Sequence, residues 1–354
     1  MHMADALISP AVGGTMWVVS AGLAAYSATK LKSEVAERKV PLMAVAGAFV
    51  FAAQMINFSI PGTGSSGHLA GALILAALLG PHAAFLVMFS ILGVQALFFG
   101  DGGLLALGCN VFNMGFWGCF VAYPLLFRRI AGDRPTQGRL LTASLIAAVV
   151  GLQLGPFSVV LETLFSGISE LPFGKFLLMM QPIHLAIGIV EGIVTAALVA
   201  FVWQARPEIL NFTAAPEGAR KSGLKPVLIT FGIAAVIAGG LLSWFASSHP
   251  DGLEWSMFRT AGKEELAAPS DGIHQSLAEV QQKTAFLPDY GFPAPEEAAP
   301  GAEGEAPEAK PEAAEPWPAV SGGTSLAGLV GSAMVLVLAG LIGLSVRIGR
   351  RKSS

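Results

Sequence analysis

Residues 174–204 read GKFLLMMQPIHLAIGIVEGIVTAALVAFVWQ, thirty-one positions carrying one lysine (Lys175) and one carboxylate (Glu191). A bilayer core needs roughly 20 apolar residues per helical crossing, so this stretch is long enough to cross with tilt. It is too apolar for a helix with one wet face. The rest of the chain repeats the pattern. Charged residues make up 13% of the 354 positions and mean hydropathy is +0.64, whereas soluble domains carry about 25% charged residues. The chain reads as an all-α polytopic membrane protein.

Nine apolar segments are expected, at 10–28, 41–58, 66–80, 82–99, 104–127, 140–165, 174–204, 226–247 and 324–346. They divide into a bundle of about seven helices (1–207), a linker (208–225) and a two-helix C-terminal module (226–354). The third segment is short and is cut from the fourth by Gly80-Pro81. Of 21 Lys and Arg, 16 fall in four clusters, at 30–39, 128–139, 206–225 and 347–352. Nine crossings put all four on one side, which the positive-inside rule makes cytoplasmic. The N-terminus and the loop 59–67 then face outside, in the cell membrane, and the C-terminus and linker 208–225 face the cytoplasm. The start lacks the basic region of a signal peptide.

Residues 248–323 hold 14 acidic and 4 basic residues and are expected as an external acidic linker. Its run from Pro293 to Pro318, rich in Ala, Pro and Glu, has little to bury and reads as extended and disordered.

The chain begins Met1-His2. A free α-amine, the His2 amide nitrogen and the His2 ring close a five-membered and then a six-membered chelate, three nitrogens in a plane. The fourth corner would take a second imidazole, by hypothesis His68 of Ser66-Gly67-His68, which the span map places in the same compartment. Four nitrogens in a square suit Ni(II) or Cu(II) and, less well, Co(II). His2 is bulky, which protects Met1 from removal, and the amine must lose its formyl group to bind.

Other polar and small residues have two readings each. Ala44, Ala48 and Ala52 recur every four residues, a spacing that lets helices approach closely in lipid. They either dock another membrane protein or pack inside the chain. Gln54, Asn57, Gln95, Asn110, Asn113 and Gln153 are expected to face the bundle interior, where they either tie the outer loops around the metal site or, the preferred reading, form simple interhelical hydrogen bonds. Glu162, His184 and Glu191 are intramembrane ionisable residues, functional candidates by default, and are read here as structural ties in preference; Cys109 and Cys119 are read as small core residues rather than a disulfide. His82 falls at the cytoplasmic end. No G-x-x-x-x-G-K-[ST] loop, no H-E-x-x-H and no nucleic-acid-binding stretch occurs. A membrane enzyme is therefore disfavoured, and uphill transport would need a partner's energy.

Met1-His2, Ser9-Pro10, the run Val50–Phe58, Ser66-Gly67-His68-Leu69, Gln95-Ala96-Leu97 with Gly100-Asp101-Gly102-Gly103, Asn113-Met114-Gly115, and His184 through Glu191 to Ala196 occur in order. Together they resemble the substrate-specific membrane subunit of energy-coupling factor (ECF) cobalt and nickel importers over about 1–207. Residues 226–346, with Ser248-His249-Pro250-Asp251-Gly252-Leu253-Glu254, resemble the two-span accessory subunit of nickel uptake systems, so the chain looks like a fusion of the two. The resemblance implies that metal is held by Met1, His2 and His68. It further implies a transmembrane coupling subunit and cytoplasmic ATPases as partners, and docking of the coupling subunit on the Ala44–Ala52 face. The usual family start is Met-His-Ile-Pro-Asp-Gly. Here Met3, Ala4 and Ala6 differ and Asp5 is kept, a candidate to orient an imidazole. The expected substrate is Ni(II) or Co(II), nickel favoured, imported by an ATP-driven complex. A metal-binding scaffold or sensor without transport is the alternative.

Overall fold

The computed structural model describes residues 2–34, 39–210, 212, 223–293 and 317–351. Among the described residues six helices are long and apolar enough to cross a membrane: Pro10–Leu31, Pro81–Phe99, Leu107–Ala131, Gln137–Ser166, Phe173–Ala205 and Gly322–Ile348. Two shorter apolar helices, Lys39–Gln54 and Leu224–Gly240, accompany them.

In chain order the elements are α1 (Pro10–Glu34), α2 (Lys39–Gln54), β1 (Phe58–Ile60), β2 (Ser65–Gly67), α3 (Ala72–Leu79) and α4 (Pro81–Val94), which runs on through a widened π-helical turn at Gln95–Phe99. Then come α5 (Leu107–Val111), π-helical through Phe112–Phe127 into α6 (Arg128–Ala131), α7 (Gln137–Ser166), α8 (Phe173–Ala205), α9 (Leu224–Gly240), α10 (Gly252–Ala261), α11 (Gly272–Thr284) and α12 (Gly322–Arg351).

Eight of the nine expected segments correspond to helices of near-spanning or spanning length, but segment 66–80 does not. It divides into β2, an extended stretch and the eight-residue α3. Eight residues rise only about 12 Å. Gly71 starts α3 in the left-handed region (φ 78°) and Gly80-Pro81 ends it. Every α3 side chain is buried, so its apolarity reflects burial within protein rather than contact with lipid. α3 and α4 form a hairpin that brings residue 101 back to the cavity that residue 68 lines. The two strands pair antiparallel with Phe58 opposite Gly67, Ser59 opposite Ser66 and Ile60 opposite Ser65.

α7 and α8 pack the most extensively of any pair. Leu145 of α7 lies so close that a Cβ on Gly192 of α8 would come within 2.7 Å of its Cα. This is the close backbone approach that small residues permit in membrane bundles. Gln153 and Gln181 bond reciprocally to each other's carbonyls at 3.0 and 3.3 Å across the same pair. On the other side of the bundle α12 lies against α2, α4 and α9. Ala44, Ala48 and Ala52 are all buried there. Ala52 packs against Ala235 and Ala238 of α9, and the Ser332 hydroxyl of α12 donates to the Ala48 carbonyl at 3.3 Å. The alanine stripe therefore packs the chain's own C-terminal helices, which take the place expected for a docked subunit.

Part of the expected linker is folded. Residues 248–293 contain α10 and α11, laid over the end of the bundle that carries β1 and β2. Charge alone gave no hint of this, because the apolar side chains that anchor the segment, Leu253 and Met257 among them, are few. Residues 294–316, most of the Ala/Pro/Glu-rich run, and most of linker 208–225 lie outside the described residues. Cys109 and Cys119 are free and buried.

Candidate metal site

The start of the chain is threaded between loops and pinned by Asn110. The Met3 amide donates to Asn110 Oδ1 at 2.8 Å, and Asn110 Nδ2 donates back to the Met3 carbonyl at 3.1 Å. The Gly103 amide adds a bond to the same carbonyl at 2.9 Å. Met3 is fully buried, so residue 2 has a fixed place.

That place is beside His68. The His2 and His68 rings stack with centroids 5.3 Å apart and planes 12° from parallel. His68 Nδ1 lies 3.1 Å from the Leu69 carbonyl, which accepts the Nδ1 proton and leaves Nε2 as the lone-pair nitrogen. Burial holds the His68 imidazole down at about 3, far below the ordinary histidine value, so the ring is neutral at physiological pH, as a metal ligand must be.

The segment bearing His68 is held from two sides. Glu191 of α8 accepts from the Ala70 amide at 2.7 Å and the Gly71 amide at 3.2 Å. Gln95 donates to Gln54 Oε1 at 2.9 Å, and Gln54 donates to the Ala70 carbonyl at 2.8 Å. The intramembrane polar residues thus tie the site loops as well as the helices. Asn113 donates to Glu162 at 2.6 Å, and His184 Nδ1 bonds the Met180 carbonyl at 2.7 Å, ties of the kind expected. His82 packs edge-on to Tyr26, within the helices.

Asp5 lies against the loop ahead of α5 rather than against His2. Its Oδ1 accepts from the Ala106 amide at 2.9 Å, capping the backbone ahead of α5. The carboxylate that meets an imidazole is Asp101, whose Oδ1 lies 3.0 Å from His2 Nδ1. Burial alone would raise the Asp101 carboxyl, but the His2 ring and the Tyr290 hydroxyl outweigh it and hold it at about 2. His2 Nε2 is buried and without a hydrogen-bond partner. The signal for Asp101 in the sequence is faint, an acid flanked by Gly100 and Gly102 at the end of an apolar run.

The second half of the chain closes over this end. The Ser66 amide donates to the Pro250 carbonyl at 2.8 Å and its hydroxyl to the His249 carbonyl at 2.8 Å. Trp255 Nε1 donates to the Thr63 carbonyl at 3.0 Å. The Pro250–Glu254 motif explains its own residue types. Asp251 caps α10, accepting from the Leu253 and Glu254 amides at 2.7 and 3.0 Å, while Glu254 accepts from the Asp251 amide at 2.8 Å. This is a reciprocal capping box. Gly252 sits against α8, where a Cβ would fall 2.8 Å from Ile183 Cγ2 and 3.1 Å from His184 Cε1. Leu253 is buried. A cavity of about 780 Å³ remains between the two halves, lined by His2, His68, Asp101, Asp251, Glu254 and Tyr290 among others.

Met1 lies outside the described residues. Among the described residues no group of three His, Cys, Asp and Glu is placed to hold a metal ion.

The bundle defines a multi-pass membrane protein. Residues 2–209 match the family model described as the cobalt uptake substrate-specific transmembrane region, and residues 225–348 match the PDGLE domain. The chain belongs to that cobalt uptake family, in the form fused to a PDGLE module, and is a metal transport protein rather than an enzyme. It is 31% identical to the putative fused nickel transport protein NikMN of Archaeoglobus fulgidus, over 96% of this chain and 96% of the relative. It is also 31% identical to the fused nickel transport protein NikMN of Rhodobacter capsulatus, over 82% of this chain and 88% of the relative. A crystal structure of a truncated transition metal transporter superposes with a TM-score of 0.51 at 30% identity, covering 57% of this chain and 98% of the other.

Proposed function

We propose that this chain is the substrate-capture subunit of an ATP-driven ECF-type importer and that its substrate is Ni(II), with Co(II) as a weaker alternative. The metal is held outside the cell in a planar site made by the Met1 amine, the His2 amide and ring, and the His68 ring. The observation that carries this reading is the face-to-face placement of His2 and His68 across 66 residues of chain, at 5.3 Å. Metal–nitrogen bonds of about 2 Å put two rings on one ion at a comparable centroid separation, once one ring turns out of the stack so that both lone pairs point at the ion.

The six-membered chelate uses His2 Nδ1, which here faces Asp101, while Nε2 is the unpartnered nitrogen. A half-turn of the imidazole about Cβ–Cγ carries Nδ1 to the position of Cδ2, away from Asp101, and Nε2 to the position of Cε1. Nδ1 is then released for the metal, and the Nε2 proton lies on the Asp101 side of the ring. An anionic carboxylate behind a ligating imidazole raises its basicity and fixes its tautomer. A deprotonated amide in a square plane suits Ni(II) better than Co(II), and the fused relatives carry nickel names. Cu(II) binds nitrogen sites at least as strongly, so selectivity rests also on which ion is available. A transmembrane coupling subunit and cytoplasmic ATPases supply the energy, with the N-terminus outside and the basic clusters inside.

The test is nickel titration of the purified full chain with its native terminus, followed by optical spectroscopy. A yellow, diamagnetic one-to-one complex is expected. His2→Ala and His68→Ala should each abolish it, and ATP-dependent nickel accumulation with it, while leaving membrane insertion intact. One residue added before Met1 should do the same by changing the chelate ring sequence. Wild-type uptake in the two histidine variants would remove the assignment.

A further inference from the structure

The segment after α11 makes a strained turn at the metal site. Asp289 and Tyr290 both sit in the left-handed region, with φ of 49° and 59°. Non-glycine residues are strained in that conformation and hold it where the surroundings demand it. The demand here falls on the Tyr290 ring, which stacks on Phe99 with centroids 5.1 Å apart and planes 16° from parallel. Its hydroxyl donates to Asp101 Oδ2. The other oxygen of the same carboxylate meets His2. The approach is reinforced nearby, since Gln281 Nε2 donates to the carbonyls of Ala96 and Gly102 at 2.8 and 2.7 Å, and Phe286 packs against Phe98 and Phe99. The C-terminal module therefore grips both sides of the π-helical turn at Gln95–Phe99 and the loop that follows it, and reaches one residue in that loop with a hydroxyl.

We propose that Tyr290 is a positioning residue for metal capture: it fixes Asp101, and Asp101 fixes the His2 imidazole. The proposal rests on the reading of His2 as a ligand and extends the site into the second half of the chain. An unanchored Asp101 carboxylate would rotate on its glycine-flanked loop, and the ring behind it would lose its set orientation. Removing such an outer partner costs about 10- to 100-fold in metal affinity.

The experiment is a double-mutant cycle on the full chain in detergent, with Ni(II) alone as the probe. Tyr290→Phe keeps the ring on Phe99 and removes only the hydroxyl. It should weaken Ni(II) binding by about 10-fold, speed nickel release, and shift the visible band of the complex. Asp101→Asn should weaken binding at least as much. The combined variant should be no weaker than Asp101→Asn alone, because Tyr290 acts through Asp101. Losses that multiply in the combined variant, or wild-type affinity in Tyr290→Phe, would overturn the proposal. Wild-type protein that forms no planar nickel complex would instead remove the site reading itself, so the two failures are separate.

Discussion

The Glu191 carboxylate, mid-way along α8, holds the amide of Ala70, two residues past His68, at 2.7 Å, and its second oxygen holds the Gly71 amide at 3.2 Å. One intramembrane acid thus sets the course of the segment that presents an imidazole. Glu191→Ala would leave two buried amides without an acceptor, at about 1–3 kcal/mol each, and would release the strand-to-helix turn. A lowered melting temperature in detergent and weakened Ni(II) binding are expected together. Glu191→Gln keeps a carbonyl acceptor and should fall between wild type and the alanine variant. If Glu191→Ala melts and binds as wild type, the carboxylate does not hold the turn.

His68 gives the apo protein a pH dependence of definite sign. Burial lowers its folded-state value to about 3, whereas an unfolded chain titrates near 6.5. The unfolded state therefore binds a proton first. The stability that the neutral ring contributes is complete above about pH 6.5 and is lost as pH falls toward 3. Melting temperatures of metal-free protein should drop between pH 6.5 and 4.5, and His68→Gln should flatten that part of the curve. An unchanged slope in the glutamine variant would show that other groups control it.

Gly252 is where the α10 cap meets α8. Adding a methyl there forces it to within 2.8 Å of Ile183 Cγ2 and 3.1 Å of His184 Cε1. Overpacking of a fitted contact costs roughly 1–3 kcal/mol. Gly252→Ala should lower the melting temperature and loosen the Ser66–Pro250 junction, read as faster amide exchange at residues 63–67. Gly232→Ala, which meets open space on α9, is the control and should change neither. Equal behaviour of the two variants would separate the α10 cap from α8.

The long crossings were legible because a run such as 174–204 has few other outcomes. Segment 66–80 misled because composition cannot separate a helix buried in protein from one buried in lipid, and all of α3 is of the first kind. The nearness of His2 and His68 was expected from chelate chemistry and the span map, and the two rings do stack at 5.3 Å. The contact of Asp101 with His2 was not expected, since it depends on a hairpin that returns residue 101 to residue 68. The folded part of 248–293 was partly legible. Asp251 followed three residues later by Glu254 is a capping-box spacing, and it announced a helix start inside a segment otherwise read by its charge.

The alanine stripe supplies the last test. Ala52 is fully buried against Ala235 and Ala238, Ala48 is buried beside Ser332, and Ala44 faces Gly340 of α12. If these contacts are what the stripe is for, a larger side chain there should act on the isolated chain. Ala52→Leu would push α9 from α2 and cost about 1–3 kcal/mol, visible as a lower melting temperature with no other subunit present. A docking role would produce the opposite pattern: wild-type melting of the isolated chain, with loss confined to copurification of a coupling subunit. Ala48→Leu, one turn away against α12, should repeat the result, because the two positions load different C-terminal helices through the same face of α2.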